Sequence, residues 1–168
     1  MTTAISRMQF LRGDFSGRRS ALRPPWALAE AEFVLRCDGC GECVGACPTH
    51  VLRKGRGGYP EVDFACGECL FCGDCVDVCR PGALQRGAGR APWSLKASVD
   101  AGVCVAFQGV ECRSCCDPCE PRVIRMRPRL GGAAIPELDV TNCTGCGACY
   151  AVCPVQAIRL QDSRRQEA

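Results

Sequence analysis

Apolar and polar positions along this chain alternate in short stretches, and none of them predicts a long element. Residues 1–25 are polar with scattered apolar positions and run into Arg23-Pro24-Pro25-Trp26, where a proline pair resists helix and favours extended chain. Ala27 to Arg36, rich in Ala, Leu and Glu, predicts a short helix. Val51-Leu52-Arg53-Lys54, then Gly55-Arg56-Gly57-Gly58, then Tyr59 to Phe64 reads as strand, glycine turn and strand; the pattern returns at Val123 to Arg127, Gly131-Gly132 and Ile135 to Val140. Between the two hairpins, Gln85 to Asp100 contains Gly87, Gly89 and Pro92 and reads as a hinge or a connecting strand. No apolar run is long enough to span a membrane or, ahead of Cys37, to form the core of a secretory signal.

Composition changes this picture at one residue type. Eighteen cysteines in 168 residues leave three explanations: disulfides, zinc or iron–sulfur clusters. Without an export signal the expected compartment is the reducing cytoplasm, where dense cysteine means metal. Aromatic content is only 6%, so the core of ordinary side chains is thin and a chain of this kind needs staples.

The spacing selects the metal. Cys37, Cys40, Cys43 and Cys47 form C-x2-C-x2-C-x3-C followed by Pro48. Cys69, Cys72, Cys75 and Cys79 repeat it with Pro81 beyond, and Cys143, Cys146, Cys149 and Cys153 repeat it with Pro154. The remaining group is irregular: Cys112, Cys115 and Cys119 keep the last two gaps, and Cys104 supplies the first member across seven residues. Cys69 and Cys143, like Cys40 and Cys112, are separated by roughly seventy residues, so the chain reads as two duplicated halves. Three cysteines at this spacing let one tight loop present three sulfurs to a cubic cluster, while the fourth, on a helical turn beyond, ligates the cluster of the partner group. Cluster one is then expected on Cys37, Cys40, Cys43 and Cys79, and cluster two on Cys69, Cys72, Cys75 and Cys47. Cluster three falls to Cys104, Cys112, Cys115 and Cys153, and cluster four to Cys143, Cys146, Cys149 and Cys119. Structural zinc prefers paired C-x2-C motifs and fits three evenly spaced cysteines poorly.

Two cysteines remain. Cys116 is an alternative to the adjacent Cys115, and Cys66 extends the second group by one rung, so a slipped register is open there; the plainer reading makes both non-ligand thiols. Gly39, Gly41, Gly45, Gly145 and Gly147 are expected to relieve crowding around the clusters. His50, the only histidine, is expected at the surface, and Asp74 and Asp77 as solvated loop residues. No nucleophile–base pair or phosphate-binding loop is in the sequence, so no catalytic residue is expected and the chain is not expected to be an enzyme.

The formal charge of +3 counts every thiol as neutral. Four clusters, each a net −2 with its thiolates, would bring it to about −5, so nucleic-acid binding is not read from it. Arg7, Arg12, Arg18, Arg19 and Arg23 concentrate near the N-terminus, either as a solvated tail or as a docking arm for an anionic partner surface.

Taken together, these residues resemble the NapF family of ferredoxin-type accessory proteins of the bacterial periplasmic nitrate reductase system. The resemblance covers nearly all of residues 6–160. It is carried by Ser6-Arg7 with Phe10-Leu11-Arg12-Gly13, by Arg23-Pro24-Pro25-Trp26, by Gly57-Gly58-Tyr59-Pro60, and most specifically by Cys104 with Val110-Glu111-Cys112-Arg113-Ser114-Cys115 and Cys119-Glu120-Pro121. Departures are Met8 at the second position of the family's arginine pair, and the extra Cys66 and Cys116. The resemblance implies a cytoplasmic protein that meets the nitrate reductase catalytic subunit before export and assists its maturation. A general polyferredoxin electron carrier is the alternative. The expected architecture is α+β, two tandem ferredoxin-like halves of two [4Fe-4S] clusters each with an irregular tail: tail 1–26, first unit 27–86, linker 87–103, second unit 104–168.

Overall fold

Loops that must curl around their cysteines leave little chain for regular structure, and the elements that form are correspondingly short. The computed structural model describes residues 21–89 and 91–162. The tail arginines Arg7, Arg12, Arg18 and Arg19 lie outside the described residues. The helices are α1 (Glu30–Arg36), α2 (Glu42–Gly45), α3 (Asp74–Asp77) and α4 (Ala148–Ala151). The strands are β1 (Leu52–Lys54), β2 (Pro60–Val62), β3 (Leu95–Val99), β4 (Ile124–Arg129), β5 (Gly132–Leu138) and β6 (Ile158–Asp162). They make three antiparallel pairs, β1 with β2, β3 with β6, and β4 with β5.

Both expected hairpins form, in registers set by their turns. Leu52 faces Val62 across the first, and Ile124 faces Leu138 across the second, which carries an irregularity between Arg127 and Arg129. Opposite charges meet across each: Arg53 with Glu61 at 3.9 Å and Asp63 at 3.3 Å, and Arg127 with Glu137 at 3.6 Å. The third pair, in which Val99 faces Ile158 and Leu95 faces Asp162, had no signal beyond the suggested connecting strand. Among the described residues no helix is long and apolar enough to cross a membrane.

The chain packs as two units. One runs through Asp63 and resumes over Phe71–Pro92; the other takes Phe64–Leu70 and the chain from Trp93 onward. This differs from the boundaries read from the sequence, and side-chain packing is the reason. Phe64 lies edge-on to Trp93 (5.8 Å) and tilted against Tyr150 (6.4 Å), while the Cys69 N–H donates to the Cys146 carbonyl at 2.8 Å. Residues 95–99, expected in a linker, are β3 of the second unit.

In the first unit residues 22–28, just before α1, are structural, not tail. Val62 donates to the Leu22 carbonyl (2.8 Å), Leu28 to that of Ala83 (3.1 Å), and Gln85 to that of Trp26 (2.9 Å). Phe33 and Tyr59, both fully buried, form the centre of this unit. The Arg23 guanidinium lies 4.9 Å from the Phe33 ring and 5.2 Å from that of Tyr59, and forks onto Glu30 at 3.0 and 2.7 Å. It also donates to the Pro60 carbonyl at 3.3 Å. Arg23 therefore leaves the set of expected docking arginines: its charge is spent inside the unit. The second unit is built on Ala97, Val123, Ile124 and Ile158 together with Cys115, Cys119 and Cys149.

Replacing Arg23 with Ala removes two cation–aromatic contacts and an ion pair that is half exposed on the Glu30 side, which should cost about 1–3 kcal/mol. Anaerobic denaturant titration of the loaded protein should show this loss, and Arg23→Lys should recover only part of it because an ammonium cannot fork onto the carboxylate.

Candidate iron–sulfur centres

A single backbone turn recurs in all four cysteine groups. The N–H of the residue after the third cysteine donates to the carbonyl three residues earlier: Val44 to Gly41 (3.0 Å), Val76 to Gly73 (2.7 Å), Cys116 to Arg113 (2.8 Å) and Tyr150 to Gly147 (2.8 Å). Around the third cysteine this turn becomes α2, α3 and α4 in the regular groups and stays an open turn in the irregular one. The helical turn expected beyond each regular loop thus contains the third cysteine, and the fourth follows it.

A second turn then closes each group. His50, Gly82, Arg122 and Gln156, each three residues beyond a fourth cysteine, donate from N–H to that cysteine's carbonyl at 3.1, 3.1, 2.8 and 3.2 Å. All four hold positive φ, from 50° to 68°. Glycine is the usual occupant of such a position, and three unrelated side chains take it here, so what the position requires is the bend. His50 is exposed and fills a turn, as expected of a non-ligand.

These turns gather three of the four expected cysteine sets. Cys37, Cys40, Cys43 and Cys79 line one hollow in the first unit. In the second unit Cys104, Cys112, Cys115 and Cys153 line another, and Cys119, Cys143, Cys146 and Cys149 a third. In each case the fourth cysteine comes from the partner group, as the crossed pattern requires. Of the remaining set, Cys47, Cys72 and Cys75 belong to the first unit, and Cys69 to the segment that packs with the second. Cys47 lies 3.6 Å from the Thr49 hydroxyl.

The electrostatics follow the same grouping. Burial pushes the Cys43 thiol up to about 11, with further contributions from Cys37, Cys79 and Cys40. Burial and then the charges of Cys104, Cys112 and Cys153 raise Cys115 to about 11, against a lowering backbone hydrogen bond. Cys149 rises to about 12, by burial first and then by Cys146, Cys143, Cys115 and Cys119. Cys37 is raised by burial, with Asp38, Cys79 and Cys40 adding to it and a hydrogen bond from Gly39 opposing. Thiols of this kind bind metal only as they give up their protons.

The donor set fits a [4Fe-4S] cluster. Each hollow is lined by three cysteines from one group and a fourth from its partner group, which is the ligand arrangement of paired clusters, whereas structural zinc is held by paired C-x2-C motifs. The residues that would hold clusters are the three sets just named, and such a group supplies one-electron chemistry. The chain's own contribution is to fix the ligands and aim dipoles at them, as the Ala157 N–H does at the Cys153 sulfur at 3.2 Å.

The structure separates Cys115 from Cys116, the pair that spacing alone left open. Cys116 occupies the turn position that Val44, Val76 and Tyr150 take in the other groups, and its thiol donates to the Ile124 carbonyl at 3.1 Å. Cys115, not Cys116, faces the hollow. Cys66 is exposed and lines none of the three hollows. Gly39, Gly41, Gly145 and Gly147 hold positive φ against close neighbours, but Gly45 faces open space and relieves no crowding. Asp74 and Asp77 begin and end α3.

Cys116→Val, which installs the residue found at the matching positions 44 and 76, should leave iron and acid-labile sulfide at the wild-type level. Cys115→Ala should lower both by the content of one cluster, measured by iron and sulfide assay after anaerobic purification.

Comparison with known proteins agrees with this chemistry. A 4Fe-4S dicluster domain model matches residues 36–83 and a 4Fe-4S binding domain model matches residues 136–159. The chain is 42% identical over 161 residues to the ferredoxin-type protein NapF of Escherichia coli (strain K12), covering 96% of this chain and 97% of that one. It is 40% identical over 173 residues to NapF of Haemophilus influenzae, covering 97% of each. It is also 34% identical over 168 residues to the methylamine utilization ferredoxin-type protein MauM of Methylobacillus flagellatus, covering 89% of this chain and 72% of that one. With four-cysteine hollows at its core and this identity sustained from end to end, the chain belongs to the NapF family of ferredoxin-type iron–sulfur proteins.

Proposed function

We propose that this chain is a cytoplasmic iron–sulfur accessory protein of the periplasmic nitrate reductase system, carrying four [4Fe-4S] clusters in two two-cluster halves. In this reading it binds the catalytic subunit in its precursor form and assists its maturation, by cofactor or iron–sulfur loading or by supplying electrons. It is not itself an enzyme for an organic substrate. The observation that carries the proposal is the set of three crossed four-cysteine hollows within a chain that matches NapF along almost its whole length. The remaining cluster, the second, on Cys69, Cys72, Cys75 and Cys47, is supported by the same spacing and by the dicluster match over residues 36–83.

A general electron carrier is the second reading, and one observation favours it. Cys115, in the third set, packs in one core cluster with Cys119 and Cys149, in the fourth, so these two sets are near neighbours. Neighbouring clusters pass electrons, and fold alone does not separate a carrier from a maturation factor.

Tagged protein captured from cytoplasm without oxygen should retain the unexported nitrate reductase catalytic subunit, identified by mass spectrometry. Recovery of other redox enzymes and never that subunit would instead favour the carrier.

A further inference from the structure

In three of the cysteine loops a side-chain cation is fastened to the main chain beside the cysteines. Lys54, at the end of β1, donates from Nζ to the Cys40 carbonyl at 3.2 Å. Arg86 donates to the Cys72 carbonyl while its guanidinium lies 4.8 Å from the Trp26 ring. Lys96, in β3, donates to the Cys143 carbonyl at 2.7 Å and the Thr141 carbonyl at 3.1 Å.

Two of these cations occupy a seat that only glycine leaves open. A Cβ on Gly41 would stand 2.1 Å from the Lys54 Cε, and one on Gly73 only 1.1 Å from the Arg86 guanidinium. In the fourth group the matching glycine, Gly147, is covered by the Phe64 ring, and the cation arrives from β3 instead. In the third group the matching residue is Arg113, which leaves no seat. Among the described residues no lysine or arginine side chain donates to a carbonyl of the loop from Cys104 to Cys115. The same contact therefore recurs by different routes where the loop is regular, and is missing where it is not.

A hydrogen bond from a neutral side chain would hold a carbonyl equally well, so the charge calls for its own explanation. Four thiolates with an oxidised core carry a net −2, and one added electron makes the site more negative still. A cation held against the loop favours the more negative state. We infer that Lys54 and Lys96 are positioning residues that raise the reduction potentials of the first and fourth cysteine sites. The inference rests on the cluster reading above. The electron comes from an external reductant, dithionite in the test below, and no covalent bond forms or breaks. Lys54 is exposed and Lys96 half-buried, so salt screens the first more than the second.

The test uses the full chain, reconstituted without oxygen, in the variants Lys54→Met, Lys96→Met, Lys54→Arg and Lys96→Arg. Iron and acid-labile sulfide are measured first, then potentials by redox titration followed with electron paramagnetic resonance. Each Met variant should keep wild-type iron and move one set of signals to lower potential, by up to about tenfold in the reduced-to-oxidised ratio, ~59 mV for one electron. The Lys96 shift should be the larger, the Lys54 shift should shrink in high salt, and both Arg variants should restore the wild-type value. Full iron with unmoved potentials overturns the inference alone. Loss of iron that Arg does not repair, with no shift in the surviving signals, also overturns it, because the side chains then only hold the loops together. Wild-type protein that takes up no iron and sulfide overturns the cluster reading itself.

Discussion

Four sulfurs gathered around one hollow repel one another once ionised, and burial raises the cost further. Cys149 shows the sum, its thiol pushed up to about 12 by burial and by four neighbouring cysteines. Nothing in the cysteines themselves favours that convergence. It is enforced by backbone turns made from local hydrogen bonds, one at each third cysteine and one beyond each fourth. The rest of the molecule serves to keep those turns in place, and the hairpins, the short helices and the aromatic contacts are read most simply as their supports.

The two units reach this end with different materials. In the first, Arg23 ties α1 to Tyr59 and Pro60 through its charge and its flat face, so a single side chain joins segments distant in sequence. In the second, the cysteines belong to the apolar core, where Cys115, Cys119 and Cys149 pack with Ala97, Val123, Ile124 and Ile158. Residues that would bind metal are thus the residues that hold this unit together, and for such a protein loading and folding are one equilibrium.

The clearest failure of sequence reasoning concerns charge. Arg23 looked like one of a run of tail arginines, and the charges of Lys54, Arg86 and Lys96 carried no expectation. Each is fastened to a particular carbonyl, carboxylate or ring. One signal was visible in principle: Gly41 and Gly73 follow the second cysteine of their groups, and a glycine kept clear of side chains invites a neighbour. The sequence does not say which neighbour, because Lys54 and Arg86 each lie about a dozen residues further along the chain, beyond the reach of local structure.

Three of the four expected cysteine groupings were legible in the sequence as sets that come to line one hollow each, because ligand spacing is a local property. A loop of six or seven residues has few ways to present three sulfurs, and the crossing of the fourth follows from the helical turn that comes next. Both hairpins were legible for the same reason, since glycine turns between short apolar runs act over a few residues. The choice between Cys115 and Cys116 was not, because adjacent residues point to opposite sides of a turn and only the packing around Ile124 decides which side is core. Nor was the pairing of β3 with β6, or the capture of Phe64–Leu70 by the second unit, which depends on Trp93 and Tyr150 closing around one phenylalanine. What the sequence determined was the chemistry within reach of each loop. What tertiary structure decided was which distant side chains met it, because contacts between residues far apart in the chain are selected by shape and charge and leave no periodic trace.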